Sequence, residues 1–547
     1  SVNVSAAAIS AAPKLYSTTL SGANTPWPGQ GEAIYANGAV EPRLFALAQG
    51  LGNQVLRYPG GEFSDSYIWT KGIGPRAQRQ NLTYYPSASS NQTVSERVDF
   101  GTDEFLDYCF SLGCTPIFQI NMHSTASAVG VAATANEIAT NAANWQAYVL
   151  DYAASKGRSN QAIYWELGNE PYLKNMYHEG GVSNHLFISD AEFVSRVNKV
   201  IERMAPQTKF ILPFALDTWN GNTYSQASAS ANPATVVGDH ISIPSTGKVG
   251  YWKTVLDGIS YANRSKIHAL GLHYYMPNIG VVASESAAPP DDKLFWATMA
   301  GAKSISTINI PAIRAQWNAH SIAKNFPLRL AVTEFNSMYT LNYPGVRQNA
   351  FVASQTGAVF ISDLLTELAK QPDVTLGAIW SMSTNGYFGA ISFADLPPSY
   401  PTFVRPSYFS LTWVRDLLSD AASKLIVPTV SVQSYGGYTS PVGFSMPSSI
   451  SLMNAVASVS PGKILRVLIT NREISVPGNV TLFLSGGNAA SASLKKMQVA
   501  ANGQFLTSEI SAVTTSPPAQ PISTTNPQQL SFTVPAYSTA LLTIQLQ

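Results

Sequence analysis

Residues 162–171 read Ala162-Ile163-Tyr164-Trp165-Glu166-Leu167-Gly168-Asn169-Glu170-Pro171. A short apolar run closed by a Gly-Asn-Glu-Pro turn is the pattern of a buried strand that ends by presenting a carboxylate. A second stretch does the same: Leu330-Ala331-Val332-Thr333 is followed by Glu334-Phe335-Asn336. Two buried strands, each ending in a glutamate, ask for a sheet that brings both ends to one rim.

Working outward, short apolar or β-branched runs alternate with amphipathic stretches, the pattern of a parallel sheet built from βαβ units. The expected strands are Tyr16–Gly22, Gln54–Tyr58, Thr115–Ile120, Ala162–Leu167, Lys209–Phe214, Ala269–Tyr274, Leu328–Thr333 and Thr375–Trp380. Eight such strands close a (β/α)8 barrel. The expected helices are Glu41–Gly50, Asp103–Leu112, Thr134–Lys156, Asp190–Met204, Trp252–Ala262, Ile310–Lys324, Gln348–Lys370 and Ser407–Ser423, with Thr134 and Asp190 as N-caps. Val194, Val197 and Ile201 show the spacing of a helix with one face on the sheet.

Beyond Leu425 the texture changes. Runs such as Leu465–Thr470 and Val480–Leu484 are split by Gly, Pro, Ser and Asn, as in an antiparallel β-sandwich. Val2–Ile9 has the same character and is expected to add a strand there, whereas Ser516–Pro527 reads as a loop. The resulting division is a barrel over residues 15–424, a sandwich over 425–547, and residues 1–14 joining the sandwich.

The 547 residues include 33 Lys and Arg against 32 Asp and Glu, a net charge of +1, and charged residues are only 12%. With no basic stripe, neither nucleic acid nor an acidic membrane surface is an expected partner. No apolar run is long enough to span a bilayer. Aromatic residues reach 11%. Flat rings with polar edges suit the apolar faces of sugars, although most of them are needed to fill a barrel.

Cys109 and Cys114 flank Gly113 at a helix end and read as two buried thiols. The chain opens at Ser1 and carries sequons at Asn3, Asn81, Asn91, Asn263 and Asn479, so a mature secreted form is expected. The histidines, including His178/His185 and His268/His273, have no metal-ligand spacing, and no glycine-rich phosphate loop follows a strand. No metal or cofactor is expected. Oligomeric state is left open.

Functional groups of such barrels sit at the carboxyl ends of the strands. Glutamates ending strands four and seven face each other across the mouth. Such a pair implies retaining glycoside hydrolysis, which needs one carboxylate to attack the anomeric carbon and one carboxylic acid to protonate the leaving oxygen. The expected partner is then a carbohydrate substrate.

Trp165 to Pro171 resembles the acid/base motif of clan A glycoside hydrolases, and Leu330 to Asn336 their nucleophile strand. Leu56-Arg57-Tyr58-Pro59-Gly60-Gly61, with Tyr67, Trp69 and Gly72-Ile73-Gly74-Pro75-Arg76, resembles the family 51 α-L-arabinofuranosidases. The wording Trp-Glu-Leu-Gly-Asn-Glu-Pro is closer to family 79, the β-glucuronidase and heparanase group. Both families carry a β-sandwich. The resemblance implies Glu170 as acid/base, Glu334 as nucleophile and Asn169 as a ligand of the sugar's 2-hydroxyl. It also implies Arg57 beside the nucleophile, a Tyr on strand six contacting it (Tyr275, with His273 on the same face), and Trp380 as the floor under the sugar. For Arg57 the competing reading is a barrel-interior ion pair with Glu166; for His273 and Trp380 it is core packing.

Two positions depart from family 51. Glu62 stands where the residue after Gly-Gly is often Asn, and Ser21-Gly22-Ala23-Asn24 stands where that family has a Glu. An acceptor-only carboxylate at position 62 repels a uronate. The expectation is thus an exo-acting, α-L-arabinofuranosidase-like enzyme. An endo-β-glucanase or xylanase, another β-glycosidase (β-glucuronidase, β-galactofuranosidase) and a non-catalytic carbohydrate-binding protein stay open.

Overall fold

The computed structural model describes residues 1–25, 35–36, 39–52, 54–85, 92–124, 133–171, 189–214, 251–275, 279–280, 291–320, 322, 325–337, 339–340, 352–384, 388–392, 403–436, 447, 449–497 and 517–547. His178, His185 and the sequon at Asn91 lie outside them.

Eight parallel strands close a barrel in chain order: β1 (Gly22–Asn24), β2 (Val55–Tyr58), β3 (Thr115–Gln119), β4 (Tyr164–Glu166), β5 (Lys209–Pro213), β6 (Ile267–Tyr275), β7 (Leu330–Asn336) and β8 (Val374–Ile379), with β8 pairing back onto β1. The expected eight-strand α/β barrel is therefore what the chain forms. Val55, Ile117, Ile211, Ala269, Ala331 and Leu376 fill its interior. The larger apolar core lies between the strands and the surrounding helices.

Those helices are α1 (Pro42–Leu51), α2 (Thr102–Leu112), α3 (Ala135–Ser155), α4 (Asp190–Arg203), α5 (Tyr251–Gly258), α6 (Asp291–Ser304), α7 (Ile310–Ala319), α8 (Gln355–Ala369) and α9 (Pro406–Leu418). Thr134 caps α3 as expected, its hydroxyl accepting from the Glu137 amide while Glu137 accepts from the Thr134 amide, a reciprocal box worth about 1 kcal/mol.

Several boundaries differ from the sequence reading, each for a local reason. The cap of α4 is Ser189, not Asp190, because the serine hydroxyl reaches the Glu192 amide. Strand one starts at Gly22 rather than Tyr16: the Ser17 and Thr19 side-chain hydroxyls, in place of a ladder, bond the Thr375 carbonyl. The helical layer before β7 begins at Asp291, nineteen residues before Ile310, and its two α-helices are joined by a π turn at Ile305–Asn309. The stretch Trp252–Ala262 is broken after Gly258, since Ser260 caps a new turn at Tyr261–Arg264.

The sandwich is made of a six-stranded sheet and a four-stranded sheet. The first has the order β9 (Lys424–Ile426), β10 (Met453–Val459), β11 (Ile464–Asn471), β16 (Ser538–Leu546), β13 (Ala489–Lys496), β14 (Gln520–Ile522). The second has the order Thr429–Val430, Val2–Ser5, β12 (Gly478–Ser485), β15 (Gln529–Val534). The chain start does enter this sheet, but only to Ser5, whose hydroxyl then caps a short helix at Ala6–Ala11. Part of the expected loop Ser516–Pro527 is strand β14, paired with β13. Cys109 and Cys114 are buried thiols with no disulfide between them, as expected.

Candidate active site

The strand ends build the site. β4 stops at Glu166 and the chain then turns through Gly168, leaving Glu170 with φ 39°, in the left-handed region that a residue with a Cβ avoids. Strain of this kind persists only where the surroundings hold it, and it gathers at functional positions. Glu334 stays within β7. The ladder between β6 and β7 shifts register at Leu272/His273, which sets His273 opposite Glu334 and Tyr275 opposite Asn336.

The two glutamates meet across the mouth as expected. One oxygen of Glu170, one ring nitrogen of His273 and one oxygen of Glu334 all lie within 4.8 Å of one another. His273 Nδ1 is 2.8 Å from Glu170 Oε1 and 3.5 Å from Glu334 Oε2. Strand alternation gives His273 and Tyr275 this inward face and sends Tyr274 outward, where its hydroxyl donates to the Gly301 carbonyl at 2.6 Å.

Each oxygen of Glu334 has its own donor: Arg57 Nη1 reaches Oε1 at 2.7 Å and the Tyr275 hydroxyl reaches Oε2 at 2.7 Å. The carboxylate is thereby fixed in orientation by one charge-assisted and one neutral bond. Burial, with the adjacent Glu334 charge, pushes the Tyr275 phenol well above its ordinary range, so it remains a donor.

Arg57 does both things the sequence allowed. It donates to Glu334 and forms a very short bond to Glu166, and it also reaches Asn24 Oδ1 at 2.9 Å and Asn169 Oδ1 at 3.4 Å. Burial by itself would weaken its hold on the proton, but Glu166 and Glu334 outweigh that and raise it. Asn169 Oδ1 also accepts from Gln119 Nε2 at 2.9 Å.

Trp380 is half-buried at the end of β8, and its carbonyl accepts from Asn336 Nδ2. Its ring closes on Gly61: a Cβ there would lie 2.5 Å from the ring edge. Glu62 follows in the 3-10 turn Gly61–Asp65, half-buried at the same rim. Arg57, Asn169, Glu170, His273, Tyr275 and Glu334 therefore form one hydrogen-bonded cluster, and Trp380 and Glu62 come in with the turn after β2. Sequence reasoning passed over Asn24, Gln119 and Thr333 as site residues. Asn24 stands at the end of β1, and that strand-end position was the available signal.

His268, by contrast, sits at the opposite end of β6, its ring tilted against Tyr164 at 5.1 Å between centroids. Burial, with Arg329 and Lys209 nearby, lowers it to about 4.

This arrangement can be set beside known proteins. The sequence model described as "Alpha-L-arabinofuranosidase 1 domain" matches residues 47–226. The intracellular exo-α-L-arabinofuranosidase of Bacteroides ovatus is 35% identical over 98 residues, 18% of each chain. The α-L-arabinofuranosidase C of Emericella nidulans is 34% identical over 119 residues, 21% of this chain and 22% of that one. The matched stretches thus span only about a fifth of these relatives' length.

In fold the likeness runs the whole chain. The GH51 arabinofuranosidase of Xanthomonas axonopodis pv. citri superimposes with a TM-score of 0.69 at 17% identity, covering 100% of this chain and 99% of that one. A bifunctional glucanase-xylanase from a metagenome library gives 0.60 at 14% identity with the same coverage. Residues 47–226 thus include the segments whose wording resembles family 51, and the solved structures share the fold.

Proposed function

We propose that this chain is a retaining glycoside hydrolase that removes terminal α-L-arabinofuranosyl groups from a polysaccharide or oligosaccharide. The observation that carries the reading is the approach of Glu170 and Glu334 to within 4.8 Å, on a rim where Glu334 is held by two donors. Retaining enzymes hold their carboxyl groups about 5–5.5 Å apart, whereas inverting ones leave room for a water between them.

A Glu334 oxygen attacks the anomeric carbon. The bond to the leaving oxygen breaks as Glu170 gives that oxygen its proton. Glu170, now a carboxylate beside His273, takes a proton from water; the water's oxygen attacks the anomeric carbon, and Glu334 departs. Two displacements at one carbon return the starting configuration. Trp380 lies where it can form the floor under the sugar, and Asn169 stands next to Glu170 for the 2-hydroxyl. The arabinofuranosyl assignment is supported by the family match over residues 47–226, which includes Arg57, Glu62, Asn169 and Glu170. The glucanase-xylanase of similar fold makes an endo-acting β-glycanase the second reading. The low share of charged residues supports secretion as a further proposal.

The test is a panel of p-nitrophenyl glycosides (α-L-arabinofuranoside, β-D-galactofuranoside, β-D-glucoside, β-D-xyloside, β-D-glucuronide), with Glu334→Ala as blank and the anomer of the first-formed sugar read by NMR. Cleavage of the arabinofuranoside with retention, absent in the variant, is expected. Inversion would overturn the mechanism. Cleavage of xylan or β-glucan alone would move the substrate to the second reading.

A further inference from the structure

Glu166 is a third carboxylate in the cluster, and the displacement just described makes no use of it. It lies one layer below Glu334 on β4, buried with Arg57. Its oxygens are both committed: Oε2 takes the Arg57 Nε proton, and Oε1 accepts from the Thr333 hydroxyl at 2.7 Å. β6, two strands on, makes room for it, since a Cβ on Gly271 would lie 3.1 Å from Glu166 Oε1. Arg57 thus spans two carboxylates, Glu166 on its Nε side and Glu334 at Nη1. Both side chains are almost wholly buried, where an unpaired charge is strongly disfavoured.

We infer that Glu166 is a positioning residue for the reaction proposed above, acting only through Arg57. It fixes the plane of the guanidinium, so that Nη1 aims at Glu334, and it takes a share of the arginine's charge. Without that share, the whole of the cation's attraction would fall on Glu334 and hold its lone pairs back from the anomeric carbon. The charged and titratable groups facing Glu334 are Arg57 from β2, Glu166 and Glu170 from β4 and its end, and His273 and Tyr275 from β6. Among these, Glu166 is the most deeply buried carboxylate and touches Arg57 directly.

The test is Glu166→Gln, which keeps the shape and can still accept from Arg57 through its one oxygen, with the Thr333 hydroxyl turned to accept from its amide, but carries no charge. With a p-nitrophenyl glycoside that the wild type cleaves, the acid limb of kcat/KM is expected to move to lower pH by about half to one unit, because a negative neighbour has gone. The kcat at the optimum is expected to fall about tenfold or more. A residue that merely fills the barrel would lower the melting temperature and leave the limb in place, and that result would overturn the inference. If Glu166→Gln does not fold, Glu166→Asp decides. It keeps the charge and shortens the reach, so the limb should stay while kcat falls; an undiminished kcat would overturn the positioning. A wild type that turns over no glycoside overturns both this inference and the function it rests on, whereas activity with an unmoved limb overturns the inference alone.

Discussion

At the scale of single residues, the division of labour follows from what touches each glutamate. Glu334 is held by a guanidinium and a phenol that do not release their protons in the working range, whereas Glu170 meets one ring nitrogen of His273 at 2.8 Å. A carboxylate fixed by two donors suits attack, which leaves proton transfer to Glu170. Glu170→Gln should therefore slow natural glycosides by about a hundredfold or more, and aryl glycosides with good leaving groups far less in their first step. Pre-steady-state rates on matched substrates check this, and equal losses would take Glu170 out of the acid role. The pair itself was legible in the chain, because Asn169-Glu170-Pro171 and Glu334 each end an apolar run. The hub role of Arg57 was legible only as two separate possibilities, an ion pair with Glu166 or a partner of Glu334. That it does both depends on β2 lying across the barrel from β7, which no local pattern encodes.

At the scale of elements, the turn after β2 packs against Trp380, the proposed floor of the sugar site. Gly61 has φ 59°, and a side chain there would meet the Trp380 ring at 2.5 Å. Gly61→Ala thus carries left-handed strain of about 1–2 kcal/mol and must also push the ring aside. The expected outcome is a lower melting temperature together with a kcat/KM reduced by about tenfold or more, since misplacing a substrate-facing group by an ångström is enough for that. A variant with wild-type kcat/KM would separate Trp380 from the sugar. Element boundaries were the least legible part of the chain. The Ser189 cap, the hydroxyl bonds that replace a ladder at residues 17–19, and the π turn at Ile305–Asn309 are each settled by one side chain or one register step, below what periodicity resolves.

At the scale of the whole molecule, α8 joins the two domains. Every residue of it is buried, including Asp363 and Glu367. Such a helix must satisfy its charges within the protein. Arg472 at the end of β11 takes both oxygens of Asp363 at 2.8 Å, Asn454 of β10 donates to both acids, and Lys303 of α6 meets Glu367 at 2.8 Å. Burial alone would raise Glu367, but Lys370, Lys303 and Arg472 together win and hold it at about 2, while burial pushes Lys370 below the usual lysine range.

A carboxylate lowered from 4.5 to about 2 contributes about 3 kcal/mol, fully present above the unfolded value and lost as pH falls through the folded one. Glu367→Gln should therefore be clearly less stable than wild type at pH 7, with the gap closing between about pH 4.5 and 2. Melting curves across that range check it; a gap constant with pH would mean that Glu367 is not the ionised partner of these cations.

What the sequence by itself determined is what repeats or punctuates locally. The alternation of strand and helix counted out an eight-stranded barrel. The loss of helical period marked the sandwich, and two apolar runs ending in glutamate located the pair of carboxylates. Only the tertiary structure decided which distant groups share a proton or a charge: Arg57 between Glu166 and Glu334, His273 between Glu170 and Glu334, Arg472 on Asp363. The reason is physical. Periodicity and turn chemistry act within a few residues along the chain. Hydrogen bonds and buried ion pairs act within about 3–4 Å in space, and barrel closure alone brings residues 57, 166, 273 and 334 within that range.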